Sequence, residues 1–234
     1  MIFYNKIFTN IDLEEAKKWR DDSGYAEEYP RSNDPCPEKN FWYRPDTICK
    51  WTSILRMFEL IEKDNMKIID LGVGESPVPH IICKRGHKVE GCDIRSVGLP
   101  YQSLVSIVLK DAFDYLKEYQ ENSVDVILDG CAVTHFGNGD TTDEFIHCGW
   151  GSVLKSASKI LRSGGVFIGS SDTMIDKRFR EFLLPEQIVE IANSYGLQLY
   201  GTDEFDYGRE NAMIRDQPRI GTMCVSNFIF IKND

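Results

Sequence analysis

The fold is decided by one stretch, Ile68-Ile69-Asp70-Leu71-Gly72-Val73-Gly74-Glu75-Ser76. Its apolar beginning predicts a buried β-strand, its two glycines predict a tight turn, and the residues that follow predict the start of a helix. A turn of this kind lets a ligand approach the backbone at a helix N-terminus. The stretch therefore predicts a ligand-binding strand–turn–helix unit of an α/β fold.

Strand and helix patterns alternate along the chain after residue 66. The predicted strands span residues 67–71, 88–93, 105–109, 124–128, 166–169, 197–205 and 224–231, and the predicted helices span 78–84, 112–119, 144–161 and 185–195. Such alternation predicts a mostly parallel sheet with helices on both faces. Because no helix separates the last two strands, we expect the last strand to be antiparallel.

The N-terminal quarter of the chain differs from this pattern. Residues 21–40 are polar and rich in proline, residues 41–43 are three consecutive aromatics, and apolar residues from 48 to 61 recur at helical spacing. We therefore expect an N-terminal cap segment with its helix over residues 1–63. Residues 64–234 then form a single globular unit.

Composition narrows the class of protein and of partner. The 234 residues carry a formal net charge of −10, which disfavours nucleic acid as a partner. No apolar run is long enough to span a membrane, and the N-terminus lacks the pattern of a secretory signal. The seven cysteines show no C-x-x-C pair, which favours reduced thiols in a cytoplasmic protein. Composition leaves the oligomeric state open.

The glycine turn does not suit a nicotinamide or flavin dinucleotide. Pro77 stands where the dinucleotide fingerprint needs its third glycine, and Asp70 suits a ligand ammonium better than a pyrophosphate. Asp93, 23 residues after Asp70, ends the second predicted strand, where an acid can bind both ribose hydroxyls. Ile94 is then placed to pack against an adenine face.

The third predicted strand adds a contact for the adenine amino group, at Asp111 and the adjoining Ala112. A ligand with an ammonium, a ribose and an adenine but no phosphate is S-adenosylmethionine. Purely structural alternatives remain: Gly72 and Gly74 can simply shape a turn, and Asp93 and Asp111 can each cap a helix.

The ordered set of motifs resembles the class I S-adenosylmethionine-dependent methyltransferases over residues 64–232. The matching residues are Asp70-x-Gly72-x-Gly74, Asp93, Asp111-Ala112, Val124-Asp125-Val126-Ile127 and Lys159-Ile160-Leu161-Arg162-Ser163-Gly164-Gly165-Val166. The resemblance implies a Rossmann-like, seven-stranded sheet with S-adenosylmethionine across its carboxyl edge, and it adds Asp129 to the cofactor side. The Glu75-Ser76-Pro77 sequence departs from the family pattern, so the resemblance assigns no cofactor contact beyond Gly74.

The resemblance also indicates where an acceptor would bind. In many small-molecule members, the segment after the fourth strand lines the acceptor site and carries a histidine, which makes His135 the candidate general base. A local structural role is the alternative for this histidine. Asp129 and Asp172 follow the fourth and fifth predicted strands, near the positions of metal-binding acids in some members. After the fifth strand, however, this sequence has one acid where those members have two. We therefore predict no metal site.

Five residues are candidates for contact with the acceptor. Two lie in the N-terminal segment, and three lie in the insertion over residues 206–221: Tyr43, Arg44, Arg209, Arg215 and Arg219. Arginine suits phosphate or carboxylate. Ordinary surface pairing with the acids of the insertion is the alternative for the arginines.

These observations predict methyl transfer to a hydroxyl of a small molecule. A sugar, a nucleotide sugar or a glycan intermediate of polysaccharide biosynthesis is the favoured acceptor, because the acidic surface and the lack of a substrate-reading domain disfavour nucleic acid. The alternatives are an inactive S-adenosylmethionine-binding subunit and a methyltransferase that acts on an amine or a protein side chain.

Overall fold

The computed structural model describes residues 45–74, 76–94, 105–136, 148–174, 183–201, 215–217 and 221–233. The helices are α1 Pro45–Ile61, α2 Val78–Lys84, α3 Ala112–Leu116, α4 Cys148–Ile160 and α5 Pro185–Ser194, with one 3₁₀ turn at Val133–His135. The strands are β1 Lys67–Leu71, β2 Lys88–Asp93, β3 Ser106–Leu109, β4 Val124–Asp129, β5 Leu161–Met174, β6 Leu197–Leu199, β7 Arg215–Gln217 and β8 Gly221–Lys232.

The strands form one mixed sheet in the order β3-β2-β1-β4-β5-β8-β6, with β7 paired to the start of β8. The first five strands are parallel, and β8 runs antiparallel to β5, β6 and β7. The predicted α/β fold class and the antiparallel last strand are both confirmed. Since β6 therefore runs in the same direction as β5, it ends at the same edge as the glycine turn.

Two apolar layers cover the two faces of the sheet. Alternate strand residues such as Ile68, Val126 and Ile168 face α1 and α2, whereas their neighbours Ile69 and Ile127 face α3, α4 and α5. Inner-face residues of α1 pack fully into the first layer. The helix of the predicted N-terminal segment is therefore part of the sheet's core, while the domain boundary at residue 63 stays a prediction.

The fifth strand is longer than the sequence predicts. It begins at Leu161, directly after α4, so the predicted Gly164-Gly165 break lies within the strand. The extra residues are accommodated by a shift in the register against β4 between Val124 and Val126. It also continues past Gly169 to Met174. The polar residues of this extension pair with polar residues of β8, as in the 2.8 Å bond from Ser170 Oγ to Asn227 Oδ1. These hydrogen bonds satisfy the buried polar side chains. The sequence did not predict a strand here because it lacks the alternation of apolar and polar residues.

Other element ends differ by a few residues. Helix α3 stops at Leu116 instead of residue 119, and β6 stops at Leu199, whereas the sequence predicts a strand to residue 205. Within the predicted insertion, Arg215–Gln217 forms β7. The described helices include none with the length and apolarity needed to cross a membrane. The predicted cap residues 1–44, with Tyr43 and Arg44, lie outside the described residues.

Candidate functional site

The glycine turn after β1 closes onto the end of β2. Gly72 and Gly74 have φ angles of 65° and 53°, the left-handed region that glycine enters without a Cβ penalty. The Gly74 N–H donates to Asp93 Oδ2 at 2.8 Å, and the Val73 N–H donates to the Cys92 carbonyl at 3.1 Å. The carboxylate of Asp93 therefore fixes the turn that a ligand would approach.

Glycine at position 72 is also required by its neighbour across the sheet edge. A Cβ atom added to Gly72 would lie 2.4 Å from the Cβ of Ala132, in the loop after β4. Strands β1 and β4 are adjacent, and Leu71 pairs with Asp129, which brings their two loops into contact. The loop after β1 and the loop after β4 thus pack directly against each other.

Asp70 lies beneath the turn and is 3% exposed. Burial, followed by the negative charges of Asp129 and Asp93, raises the pKa of Asp70 well above its usual value. A cationic ligand group in this place would relieve the unfavourable charge. The electrostatics therefore favour an ammonium or sulfonium over a phosphate.

The edge beyond β2 and β3 carries the predicted adenine contacts. Ile94 is 67% exposed, so its side chain is open to a ligand surface. Asp111 caps α3, because its side chain accepts hydrogen bonds from the Phe113 and Asp114 N–H groups. Ala112 is buried in the core. The capping alternative for Asp111 is thus present in the structure, and Ala112 offers little surface to a ligand.

Asp129 has a well-defined structural position at the end of β4. Its Oδ1 accepts hydrogen bonds from the N–H groups of Ala132 and Val133 at 2.7 and 3.0 Å, and its Oδ2 accepts one from Ser171 Oγ at 2.8 Å. Burial raises its pKa, and these three donors act in the opposite direction. Asp129 therefore anchors the 3₁₀ turn that carries His135.

A second polar cluster lies between the ends of β4 and β5 and the helix α1. Lys50 Nζ is 3.1 Å from Asp172 Oδ1 and donates to Cys131 Sγ at 3.2 Å. The Asp172 N–H also donates to Cys131 Sγ, at 3.4 Å. Burial raises the pKa of the Cys131 thiol to about 11. The cluster joins the N-terminal helix to the ends of two strands.

His135 is exposed at the border of this cluster. The pKa of His135 is lowered from its usual value, mainly by desolvation. The negative charge of Asp172 opposes this shift, and the positive charge of Lys50 adds to it. The neutral imidazole is therefore the prevailing form at neutral pH, and this is the form that accepts a proton. The turn before it is unusual, because Cys131 adopts a φ of 77°, which a residue with a Cβ rarely adopts.

The two acids that stand near metal-binding positions of some family members do not share a site. Asp129 and Asp172 stand on strand positions that face opposite sides of the sheet: Asp129 bonds Ser171, whereas Asp172 meets Lys50. Instead, a carboxylate oxygen of Asp172, the sulfur of Cys131 and a ring nitrogen of His135 all lie within 4.8 Å of one another. These three residue types are metal ligands in other proteins.

The predicted arginines fall mostly outside the described residues. Arg209 and Arg219 are not described. Arg215 begins β7, where it pairs with Met223, and Met223 pairs with Met174 at the end of β5. The backbone of β7 therefore lies at the same carboxyl edge as the glycine turn.

Sequence reasoning missed Lys50 as a site residue. A signal was present, because Lys50, Ile54 and Met57 follow the i, i+4, i+7 spacing of one helix face, and the latter two are buried. A lysine on the apolar face of an amphipathic helix is 7% exposed here and needs a buried partner. The identity of that partner depends on the tertiary structure.

Comparison with known proteins supports the fold. No protein family and no curated protein matches the sequence. Among solved structures, 1,6-didemethyltoxoflavin-N1-methyltransferase of Burkholderia thailandensis, with 1,6-didemethyltoxoflavin and S-adenosylhomocysteine bound, is 14% identical; the match covers 94% of this chain and 90% of that chain with a TM-score of 0.53. A TehB-like SAM-dependent methyltransferase of Corynebacterium glutamicum is 18% identical over 95% of this chain and 98% of that chain, with a TM-score of 0.51.

The (4+2)-cyclase SpnF is also similar, at 11% identity over 80% of this chain and 81% of that chain, with a TM-score of 0.57. At such low identities these likenesses establish the architecture alone. The chain has the Rossmann-like fold of class I methyltransferases. A cyclase shares this fold, so the fold by itself does not fix the reaction.

Proposed function

We propose that the protein is an S-adenosylmethionine-dependent methyltransferase. The observation that carries the proposal is the turn Gly72-Val73-Gly74, which is bonded to the β2 carboxylate of Asp93 and lies over the buried, unfavourably charged Asp70. This arrangement provides an acid for a ribose and a negative site for a cation, in a fold shared with methyltransferases that bind S-adenosylhomocysteine.

The residues at the ends of β1, β2 and β3 would bind the cofactor. Asp93 binds the ribose hydroxyls: a carboxylate has about four lone-pair sites, so it can bond a ribose as well as the Gly74 N–H. Asp70 attracts the cationic methionine end of the cofactor. Exposed Ile94 packs on the adenine, and Asp111 with the Ala112 backbone lies at the adenine rim. Asp129 contributes by holding the loop that Gly72 contacts.

The acceptor side supplies a base and excludes water. The sulfonium is already an activated methyl donor, so the protein mainly has to align the acceptor, the methyl group and the sulfur. His135 removes the proton from an acceptor hydroxyl; its lowered pKa keeps the imidazole available for this at neutral pH. S-adenosylmethionine held by Asp70 and Asp93 would supply the methyl group to that oxygen and would leave as S-adenosylhomocysteine.

The acceptor we propose is a small hydroxyl compound such as a sugar, a nucleotide sugar or a glycan intermediate. The position of β7 at the carboxyl edge supports contact by Arg215, and we assign the same role to Arg209 and Arg219. Tyr43 and Arg44 precede α1, whose Lys50 reaches the site, and are assigned to the cap over the acceptor. The proposed location is the cytoplasm.

A nitrogen acceptor is the second candidate. It is favoured by one comparison, because the similar Burkholderia thailandensis enzyme is by name an N1-methyltransferase. An acceptor nitrogen with a free lone pair needs no base before transfer. Loss of His135 would then leave most of the turnover intact, which separates the two candidates.

The experiment combines binding with turnover. Calorimetric titration with S-adenosylmethionine and S-adenosylhomocysteine tests the cofactor site, with Asp93→Asn as the matched variant. Formation of S-adenosylhomocysteine is then measured over a panel of sugars, nucleotide sugars and amines. Saturable cofactor binding with acceptor-dependent product supports the proposal. Absence of cofactor binding by the folded protein would refute it, and binding without turnover on any acceptor favours the inactive subunit.

A further inference from the structure

Lys50 lies at the centre of a group of side chains that resembles a metal site. The ligand atoms of Cys131, His135 and Asp172 lie within 4.8 Å of one another. Lys50 Nζ is 3.1 Å from Asp172 Oδ1 and 3.2 Å from Cys131 Sγ, so two of the three groups already face an ammonium. Among the residues that the structure describes, Lys50 is the one buried lysine.

The chemistry of the three groups explains why a cation is needed. A thiol, an imidazole and a carboxylate are the ligand types of Zn²⁺ and related ions, and a carboxylate buried to this degree needs a positive partner. Asp172 is 8% exposed, and the ammonium of Lys50 provides the compensating charge. A divalent ion bound to Asp172 and Cys131 would face the ammonium at close range, so the two cations exclude each other.

The backbone indicates that the cluster is held under strain. Cys131 adopts a φ of 77°, and its sulfur accepts hydrogen bonds from both Lys50 Nζ and the Asp172 N–H. Strained residues persist only where the surroundings fix them, and they concentrate at functional sites. The two donors to the Cys131 sulfur tie down the turn that leads into His135.

We propose that Lys50 is the built-in cation of this cluster and takes the place that a divalent metal would otherwise occupy. It is a positioning residue: through Asp172 and the Cys131 turn it fixes the loop that presents His135. The catalytic part of this role rests on the proposed function, because it concerns the base for the acceptor. The exclusion of metal does not, since it concerns only groups of the free protein.

The test uses Co²⁺ as the probe, because a thiolate bound to Co²⁺ gives a charge-transfer absorption band. The full chain is titrated with Co²⁺ as wild type, Lys50→Ala, Lys50→Arg and the double variant Lys50→Ala/Cys131→Ser. Arg85→Ala is the matched control, because Arg85 also pairs with acids of α1, Glu59 and Glu62, but away from this cluster. Circular dichroism verifies the fold of each variant.

We expect Lys50→Ala to bind one equivalent of Co²⁺ with the thiolate band, with a Kd at least about tenfold lower than that of wild type, because the competing charge has been removed. Lys50→Arg and Arg85→Ala should behave like wild type, and the double variant should lose the band. Wild type that binds Co²⁺ through the thiolate as tightly as Lys50→Ala would overturn the proposal. So would a folded Lys50→Ala that shows no thiolate band.

The positioning role has its own readout. S-adenosylmethionine affinity should be the same for wild type, Lys50→Ala and Lys50→Arg, while Lys50→Ala loses turnover and Lys50→Arg recovers it. Equal turnover in all three would refute the positioning role. Failure of wild type to bind S-adenosylmethionine would count against the proposed function alone, because the Co²⁺ titration does not use the cofactor.

Discussion

The two halves of the carboxyl edge are built on different principles. On the side proposed for the cofactor, the glycine turn after β1 meets the end of the adjacent parallel strand β2 through two backbone donors, one to the Asp93 carboxylate and one to the Cys92 carbonyl. On the acceptor side, Lys50 and Asp172 are 122 positions apart in the chain and meet as a buried ion pair. The first half depends on backbone conformation, whereas the second depends on the tertiary packing of α1.

The difference shows how one sheet edge can combine a site built from local backbone conformation with a site built from tertiary packing. Loops at the ends of parallel strands carry function while the sheet supplies rigidity. Here the two loops touch at Gly72 and Ala132, so a change in one half can be transmitted to the other through that contact. Variants that affect one half alone, or the contact between them, therefore test this division.

The largest effect is expected on the acceptor side, from His135→Ala. Loss of a positioned base typically lowers the rate by about 10²–10⁴-fold. Because His135 is exposed, the variant should fold and bind S-adenosylmethionine like wild type. Turnover is measured as S-adenosylhomocysteine formation with an acceptor from the panel. Retention of most of the turnover would show that the acceptor needs no base from this residue.

The contact between the two halves is tested by Gly72→Ala. The new Cβ would lie 2.4 Å from the Ala132 Cβ and would hold a left-handed backbone, which together we expect to cost about 2–4 kcal/mol of unfolding free energy. Gly74→Ala is the control, since among the described residues a Cβ there meets the Gly72 carbonyl alone, at 3.8 Å, and adds mainly the backbone strain. Urea denaturation measures both. Equal losses would contradict the steric contact.

The cofactor side is tested by Asp93→Asn. The side-chain oxygen can still accept from the Gly74 N–H, but the charged acceptor for the ribose is lost, which corresponds to about 1.5–3 kcal/mol, or roughly ten- to a hundredfold in Kd. Asp114→Asn, which alters an exposed carboxylate in the first turn of α3 and should leave the Kd unchanged, serves as the comparison. Calorimetry gives both affinities. An unchanged Kd in Asp93→Asn would remove this residue from the cofactor site.

The smallest effect concerns the stability of the free protein and its dependence on pH. Burial and the charges of Asp129 and Asp93 raise the pKa of Asp70, so the folded state holds its proton more tightly than the unfolded state does. Stability is therefore lost as pH rises from the ordinary aspartate pKa, about 4, through the raised value. Asp70→Asn removes this loss.

We expect Asp70→Asn to raise the Tm at pH 7, on the order of 2–4 °C for each kcal/mol recovered, and to flatten the pH profile above pH 4. The same variant should weaken S-adenosylmethionine binding, because the cation loses its partner. Differential scanning calorimetry from pH 4 to pH 8 provides the profile. A lower Tm at pH 7 would contradict the unfavourable charge of Asp70.

The sequence predicted the strands and the glycine turn at this edge well because their signals are local. A strand, a glycine turn and an acid at the end of the next strand lie within 26 positions, from residue 68 to residue 93, and parallel strand pairing brings such ends together without further information. The element bounds of α2 and β2 agree with the structure to the residue. The sequence allowed Asp111 either to contact the adenine or to cap the following helix, and the structure shows that it caps α3.

The acceptor side was predicted less completely because its contacts are not local. The polar residues from Ser170 to Thr173 did not indicate a strand, since their partners lie on β8 and the pairing Thr173–Ser226 is visible only once β5 and β8 are adjacent. Likewise, no pattern near Lys50 in the sequence predicts that its partner is Asp172. For the same reason the sequence did not show that the carboxylates of Asp129 and Asp172 face opposite sides of the sheet.

Periodicity and glycine chemistry act over a few residues, so local patterns were enough to predict the α/β class, the order of the strands along the chain and the glycine turn. The assembled fold was needed to show that Gly72 packs against Ala132, that Asp129 anchors the turn of His135, and that Lys50 pairs with Asp172. These contacts join residues distant in the chain, and their energies arise from burial and charge that exist only after the sheet has assembled.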